Sequence, residues 1–185
     1  MRRPLAILAA ALLAGMAACD RSSQPIRIDL LSLLSTADKR PPSKDINLFA
    51  VRDVDVDGGQ MPAVTVPQPS RIVWTLRVPR RATLTARIGL LPGAAGGCNG
   101  EAAFRIGVSG GRLYEKVFER VLNPRDLATD RAVVPLSVDL SSYAGFQWSL
   151  FYHPGDTAWG LVFSVDRPAS GCVPVWVQPT VSGYR

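Results

Sequence analysis

The sequence predicts an all-β fold, a single sandwich or jelly roll of about eight to ten short strands. Apolar runs of five to nine residues are separated by turn signals, and 15 prolines and 16 glycines leave little room for long helices. The run 134–140 alternates apolar and polar residues, as a half-buried strand does, and an aromatic-rich run at 146–152 follows a polar corner. Together these patterns favour antiparallel sheets around one core.

The first 18 residues have the pattern of a secretory signal. Arg2 and Arg3 form a charged start, residues 4–16 are apolar but too short to span a bilayer stably, and small residues follow. The motif Met16-Ala17-Ala18-Cys19 resembles the lipobox of bacterial lipoproteins, with methionine replacing the usual leucine. The resemblance implies that residues 1–18 are removed and Cys19 is acylated, for example with palmitate, which anchors the chain to a membrane. The alternative is ordinary cleavage near Ala18 with Cys19 as a free thiol.

This interpretation divides the chain into a signal peptide (1–18), a short tether (19–25) and one β-sandwich domain (26–185). We expect a bacterial cell-envelope protein that faces the periplasm or the cell exterior. In enteric bacteria an aspartate after the lipidated cysteine tends to retain a lipoprotein in the inner membrane, so Asp20 favours that membrane. A location outside the cytoplasm argues against a nucleic-acid partner, despite the formal charge of +6.

Alternation places most strands along the domain. The predicted strands are 46–56, 71–78, 83–91, 104–108, 113–122, 134–140, 146–152, 159–165 and 173–181. The segment 26–34 is ambiguous between a strand and a short helix. The segment 113–122 also fits an amphipathic helix, but the glycines before it and Asn123-Pro124 after it favour a hairpin arm. Pro62, Pro67 and Pro69 predict a stiff connection that contributes at most an edge strand.

Three cysteines, one of them used for the lipid, leave Cys98 and Cys172 as an even pair in an oxidising compartment. We expect these two to form a disulfide, worth about 4 kcal/mol in the chain-entropy model. The other interpretations are a metal site or a reactive thiol. Both lack the neighbours they need, because no C-x-x-C motif is present and the only histidine is His153.

Several runs carry a further resemblance: RIVWTLRVPRRATLTARIGLLP, FRIGV, VLNPRD, VPLSVDLSSYAG and VWVQPTV. Together they are similar to the galactose-binding-like β-sandwich modules found beside bacterial carbohydrate-active and cell-surface proteins. The resemblance covers about the last 115 residues. It implies a jelly roll, often used to bind glycans, and carries no catalytic residue across.

Asp53, Asp55 and Asp57 precede Gly58 and resemble the start of a calcium-binding loop. The pattern lacks the glutamate that would complete such a loop, since Val64 stands in its place. Modules of the similar type often hold structural calcium, so a calcium ion at these three aspartates is one interpretation and a solvated strand face is the other. No other cofactor is expected.

Candidate ligand-binding residues lie in two segments. The loop 151–160 carries His153, Asp156 and Trp159, of which the tryptophan is the better platform for a sugar ring. A basic cluster of Arg77, Arg80 and Arg81 suits phosphate, anionic lipid or acidic polysaccharide. The alternatives are an ordinary loop and a solvated arginine-rich surface.

These observations predict a membrane-anchored, non-catalytic binding module for a glycan or another envelope component. An enzyme is disfavoured because the chain has one histidine and three glutamates whose spacing suggests no acid–base pair. The second hypothesis is a structural or accessory lipoprotein that binds a partner protein in an envelope complex.

Overall fold

The computed structural model describes residues 24–93, 97–98, 100–110, 113–144, 159–167 and 169–185. These residues form eleven strands, four single-turn 3-10 helices and no α-helix. The strands are β1 (Pro25–Asp29), β2 (Asp38–Arg40), β3 (Ala50–Val56), β4 (Gly59–Thr65), β5 (Ser70–Leu76), β6 (Arg80–Pro92), β7 (Ala102–Gly110), β8 (Leu113–Leu122), β9 (Val134–Asp139), β10 (Trp159–Asp166) and β11 (Cys172–Tyr184). The 3-10 helices are Leu34–Thr36, Ile46–Leu48, Ala128–Arg131 and Ser141–Tyr143. No helix in the described ranges has the length and apolar character needed to cross a membrane.

The strands pair into two antiparallel sheets. The five-stranded sheet has the order β2-β5-β10-β7-β8. The six-stranded sheet has the order β3-β4-β11-β6-β9, and β1 also pairs with β11. Because β11 is long, β4 pairs with its residues Val175–Val177 and β1 with Thr180–Tyr184, while β6 pairs along the whole strand.

The core lies between the sheets around four aromatic side chains, each at most 1% exposed: Trp74, Phe104, Phe163 and Trp176. The Phe163 ring centroid lies 4.4 Å from that of Trp176 on the opposite sheet and 4.9 Å from that of Trp74. Trp74 donates its indole N–H to the carbonyl of Leu30 at 3.0 Å, so its one polar group is satisfied. Strand alternation therefore sends one side of each sheet into a single core.

A smaller apolar cluster lies on the other side of the six-stranded sheet. Strands β3 and β4 form a hairpin whose turn residues Asp57 and Gly58 have φ of 54° and 79°, the left-handed pair that suits a two-residue turn. Val54 and Val56 on β3 pack with Val175 and Val177, which flank Trp176 on β11. The hairpin thus extends the sheet and joins β11 in an apolar cluster on the side away from the main core.

The all-β sandwich predicted from the sequence is confirmed, with differences in detail. Segment 113–122 is a strand, and segment 26–34 begins as a strand and turns into a 3-10 helix at Leu34. The expectation for the proline-rich connection was wrong, because β4 lies between β3 and β11. Pro62 is tolerated there because the pairing with β11 covers only Ala63–Thr65. The predicted strand 146–152 lies outside the described residues.

Candidate functional site

The outer surface of the five-stranded sheet carries small side chains at its centre. On β7, Phe104, Ile106 and Val108 face the core, so Ala103, Arg105, Gly107 and Ser109 alternate with them on the outer surface. The cross-strand partners on β10 are Asp166, Ser164, Val162 and Gly160. Larger side chains stand on the flanking strands β8 and β5, so the middle of this surface is low and its sides are raised.

Tyr114 on β8 lies across this low centre. It pairs with Ser109, and a Cβ atom added to Gly107 would clash with its ring carbons and hydroxyl. The ring therefore rests against the glycine backbone, while 48% of the residue remains exposed. This leaves a flat aromatic surface that is held by the sheet and open to solvent.

Beside the tyrosine, Arg105 is fixed between two carboxylates. Its Nε donates to Glu119 at 2.7 Å, and its Nη1 donates to Asp166. Glu119 also accepts from Lys116, and the hydrogen bonds from Lys116 and Arg105 lower its pKa to about 2. The hydrogen bond that Arg105 donates to Glu119 is the largest cause of the raised pKa of Arg105. The network orients both carboxylates, and the lowered pKa keeps Glu119 ionised at neutral pH.

Arg71 differs from Arg105 because it is exposed and its side chain makes no ion pair or hydrogen bond within the described residues. It belongs to a row that crosses the whole sheet: Glu119, Arg105, Ser164, Arg71 and Arg40. Arg40 is paired with Asp38 at 2.7 Å. The outer surface therefore offers an unengaged guanidinium, which lies beside Ser164 on β10 and four residues before Thr75 on its own strand.

The predicted ligand residues that the structure describes lie together at one end of the sandwich. Trp159 opens β10 opposite Leu76, the residue before Arg77. Arg80 opens β6 opposite Tyr184, and Arg81 follows with φ of 50° at an irregularity of that ladder. His153 and Asp156, as well as Cys19 and Asp20, lie outside the described residues.

The predicted disulfide is present at the other end of the sandwich. Cys98 and Cys172 are bonded, with 4.7 Å between their Cα atoms. The side chain of Gln68 ties the same region together, because it donates to the Cys172 carbonyl at 2.8 Å and accepts from the Ala169 amide at 2.6 Å. This arrangement fastens the start of β11 to its neighbouring loops.

The three aspartates do not come together as a calcium site. Asp53 and Asp55 are exposed on β3, where Asp55 accepts from the Gly58 amide at 3.1 Å. Asp57 lies in the turn and pairs with Arg87 at 3.2 Å. Among the described residues, no group of three or more histidine, cysteine or acidic side chains is placed to hold a metal ion. The side chains as arranged do not fit the ion.

Sequence reasoning missed Tyr114 and Arg71. Tyr114 lies in the segment 113–122, for which the sequence pattern fits both a helix and a strand, so the face that it occupies could not be predicted. Its contact with Gly107 also depends on the register between β7 and β8. That register shifts between Ile106 and Gly107. Arg105, by contrast, takes the outward position that alternation along the strand 104–108 predicts.

No protein-family model and no curated protein matches the chain. Among solved structures, it is similar to the K3 cleaved adhesin domain of Lys-gingipain from Porphyromonas gingivalis, with 13% identity, a TM-score of 0.49 and coverage of 85% of this chain and 98% of that one. The xylan-binding module CBM15 aligns at 10% identity and TM-score 0.41, covering 88% and 97%. The family 11 carbohydrate-binding module of Clostridium thermocellum aligns at 12% and 0.39, covering 87% and 88%. At these scores the similarities transfer no ligand to this chain.

Proposed function

We propose that the protein is a lipid-anchored, non-catalytic module of the bacterial cell envelope that binds a glycan on the outer surface of its five-stranded sheet. The observation that carries this proposal is the Tyr114 ring, which rests against Gly107 and is half-exposed. An aromatic face of this kind packs against the apolar C–H side of a sugar ring. A tyrosine offers a large contact area and loses little conformational freedom on binding.

The groups around Tyr114 suit the polar side of a sugar. Ser109 and Thr75 place hydroxyls on the same surface, where Ser164 is only 6% exposed, and Arg71 adds donors that no described residue uses. Hydroxyls and guanidinium groups recognise sugar hydroxyls, and an unengaged arginine adds a preference for uronic acids or phosphorylated sugars. We therefore propose an acidic or phosphorylated glycan as the ligand class.

The same surface is unsuited to glycoside hydrolysis. Such enzymes need one carboxylic acid whose pKa is raised so that it can protonate the leaving group. Glu119 has the opposite property, because its bonds to Lys116 and Arg105 lower its pKa to about 2. Asp166 is likewise engaged by Arg105. These carboxylates orient a binding surface, and we propose no reaction for them.

The test is a binding titration with the chain from Asp20 to Arg185. All described strands, the core and the disulfide lie within residues 24–185, so this form retains the fold. An array of neutral, uronic-acid and phosphate-bearing bacterial polysaccharides identifies a binder, and calorimetry gives its affinity. Tyr114→Ala is expected to weaken binding about tenfold, the effect of losing one aromatic contact.

Two variants make this result specific. Tyr114→Phe keeps the ring and is expected to bind within about twofold of the parent, as is Leu127→Ala, which removes an equally exposed apolar side chain from a loop. Arg71→Ala should discriminate between acidic and neutral glycans. Failure of every glycan to bind, or equal losses with Tyr114→Ala and Leu127→Ala, would contradict the proposal.

The lipid anchor is supported by the signal pattern and the lipobox-like Met16–Cys19. We expect the full chain, expressed in a bacterium, to incorporate an alkyne-labelled palmitate and to partition into the detergent phase. Cys19→Ser should abolish both. A secreted, unlabelled mature chain would instead indicate ordinary signal cleavage.

A second candidate function, binding of a partner protein, is favoured by exposed apolar residues at the edge of the six-stranded sheet. Ile46, Leu48 and Val51 are 54%, 43% and 51% exposed, and β3 is an edge strand in the described sheet. Crosslinking in intact cells, with and without Val51→Lys, tests it. Stoichiometric capture of one envelope protein that the lysine abolishes would favour this candidate over a glycan.

A further inference from the structure

One end of the sandwich collects arginines from three separate parts of the chain. Arg27 lies on β1, Arg77 and Arg80 flank the β5–β6 connection, Arg81 follows, and Arg185 ends the chain. Pairing brings them together, because Tyr184 is opposite both Pro25 and Arg80, and the Arg185 amide donates to the Gln24 carbonyl at 3.0 Å. We call this region the arginine end.

All five side chains are exposed, and none makes an ion pair within the described part of the chain. Asp139 shares a row with Arg27 but is three strand spacings away, about 14 Å. Asp139 and Asp29 each accept a backbone amide of their own segment, from Ser141 and Leu31. Among the residues that the structure describes, none pairs with these arginines to neutralise their positive charge.

Two of the five arginines line a cleft of about 560 Å³. Arg27 and Arg81 line it together with the hydroxyl-bearing side chains of Thr83, Ser182 and Tyr184. Two guanidinium groups with hydroxyl donors beside them are the groups that bind phosphate oxygens. The backbone of Arg81 has a φ of 50°, a left-handed conformation that residues other than glycine rarely adopt.

The described chain begins at this same end. Five residues, Cys19 to Ser23, precede Gln24, so a lipid on Cys19 lies at most about 18 Å from Gln24 even if the tether is fully extended. The headgroup region is itself about 5–8 Å thick on each side of a bilayer. The arginine end is thus the part of the domain that the tether keeps near lipid phosphates.

We infer that the arginine end is a membrane-docking surface, whose Arg27–Arg81 cleft binds the phosphate of anionic glycerophospholipids. The inference rests on the proposed lipid anchor and is independent of glycan binding. Docking through this end orients the strands roughly perpendicular to the bilayer. The outer surface of the five-stranded sheet, with Tyr114, then faces sideways into the envelope space. Acyl chains and a basic surface together give the two signals that stable anchoring requires.

The test uses the unlipidated chain from Asp20 to Arg185 in low salt. One set of vesicles is phosphatidylcholine alone, and the other contains about 30 mol% phosphatidylglycerol as well. We expect cosedimentation with the anionic vesicles only. Arg27→Ala with Arg81→Gly should weaken it roughly 30-fold, because each arginine near a membrane surface adds about one factor of five. The glycine is chosen because it relaxes the left-handed position and preserves the fold.

A matched control removes one arginine from the opposite end. Arg125 lies in the turn after β8, and Arg125→Ala is expected to reduce vesicle binding less than about twofold. Equal binding to both vesicle types, or equal losses from Arg125→Ala and the cleft variant, would overturn the inference. Displacement by millimolar inorganic phosphate at constant ionic strength would also overturn it, since the cleft would then be a site for a free anion.

The glycan and membrane proposals fail separately. Tyr114→Ala should keep its affinity for phosphatidylglycerol vesicles, and the cleft variant should keep its affinity for the glycan. Loss of both affinities in either variant would contradict the assignment of two independent surfaces.

Discussion

The two ends of the sandwich treat their polar groups in opposite ways. At the disulfide end, Cys98 and Cys172 are bonded, both polar atoms of the Gln68 amide are used, and Arg167 pairs with Glu101 at 2.7 Å. At the arginine end, Arg27 and Arg81 face a cleft and no described carboxylate meets them. Polar groups satisfied within the chain fasten the fold, whereas groups left without a partner are available to molecules outside it.

The disulfide gives the largest expected effect. Cys98→Ser with Cys172→Ser removes a crosslink between residues 74 apart and should lower the free energy of unfolding by about 4 kcal/mol. Urea titration of the chain from Asp20 to Arg185 measures this, and reduction of the parent protein should give the same value. A loss below about 1 kcal/mol would show that the rest of the disulfide end holds itself together without the crosslink.

Asp130 tests the same end through a buried charge. Its side chain is 2% exposed and accepts from the Asn123 amide at 2.9 Å and from Arg120 at 3.2 Å. Asp130→Ala leaves that amide unsatisfied, and we expect a loss of about 2–3 kcal/mol, moderated because Arg120 can turn to solvent. Asp130→Asn keeps one acceptor and should cost about half as much. Equal stability of the alanine variant and the parent would contradict the structural role.

Lowering the pH should remove the contribution that the ion-paired Glu119 makes to stability. The pKa of Glu119 is lowered from 4.5 to about 2, so its ionised form is favoured in the folded state. Its contribution is present above pH 4.5 and is lost as the pH falls towards about 2. Glu119→Gln should therefore flatten that part of the curve of urea midpoint against pH. An unchanged curve would show that solvent screening removes the contribution of this exposed network.

The sequence predicts the sandwich well because alternation depends on neighbours along the chain. It fails where long-range pairing decides. Pro62 suggested an edge strand, yet β4 is interior because only Ala63–Thr65 pair with β11. The three-residue β2 is too short to show alternation, and only its pairing with β5 defines it.

The candidate sites divide in the same way. Arg77, Arg80 and Arg81 are adjacent in the sequence and could be identified as a basic cluster. Arg27 and Arg185 join them only because β1 pairs with the end of β11. Tyr114 needed the register of β8 against β7, which an irregularity after Ile106 displaces. Local composition therefore finds charges, and strand pairing decides which of them share a surface.

The smallest expected effect on stability comes from the arginine end, and it is the sharpest test of the contrast. Arg27→Ala and Arg81→Gly remove two cations that no described residue engages, so each should change the free energy of unfolding by less than about 0.5 kcal/mol. Arg81→Gly should even be neutral or slightly stabilising, because glycine adopts a φ of 50° without steric cost. Urea titration beside Asp130→Ala gives the comparison in one experiment. If either arginine variant lowered the free energy of unfolding by more than about 1 kcal/mol, these arginines would contribute to the stability of the fold. That result would contradict the contrast between the disulfide end, whose polar groups are paired within the chain, and the arginine end, whose cations are available to phosphate.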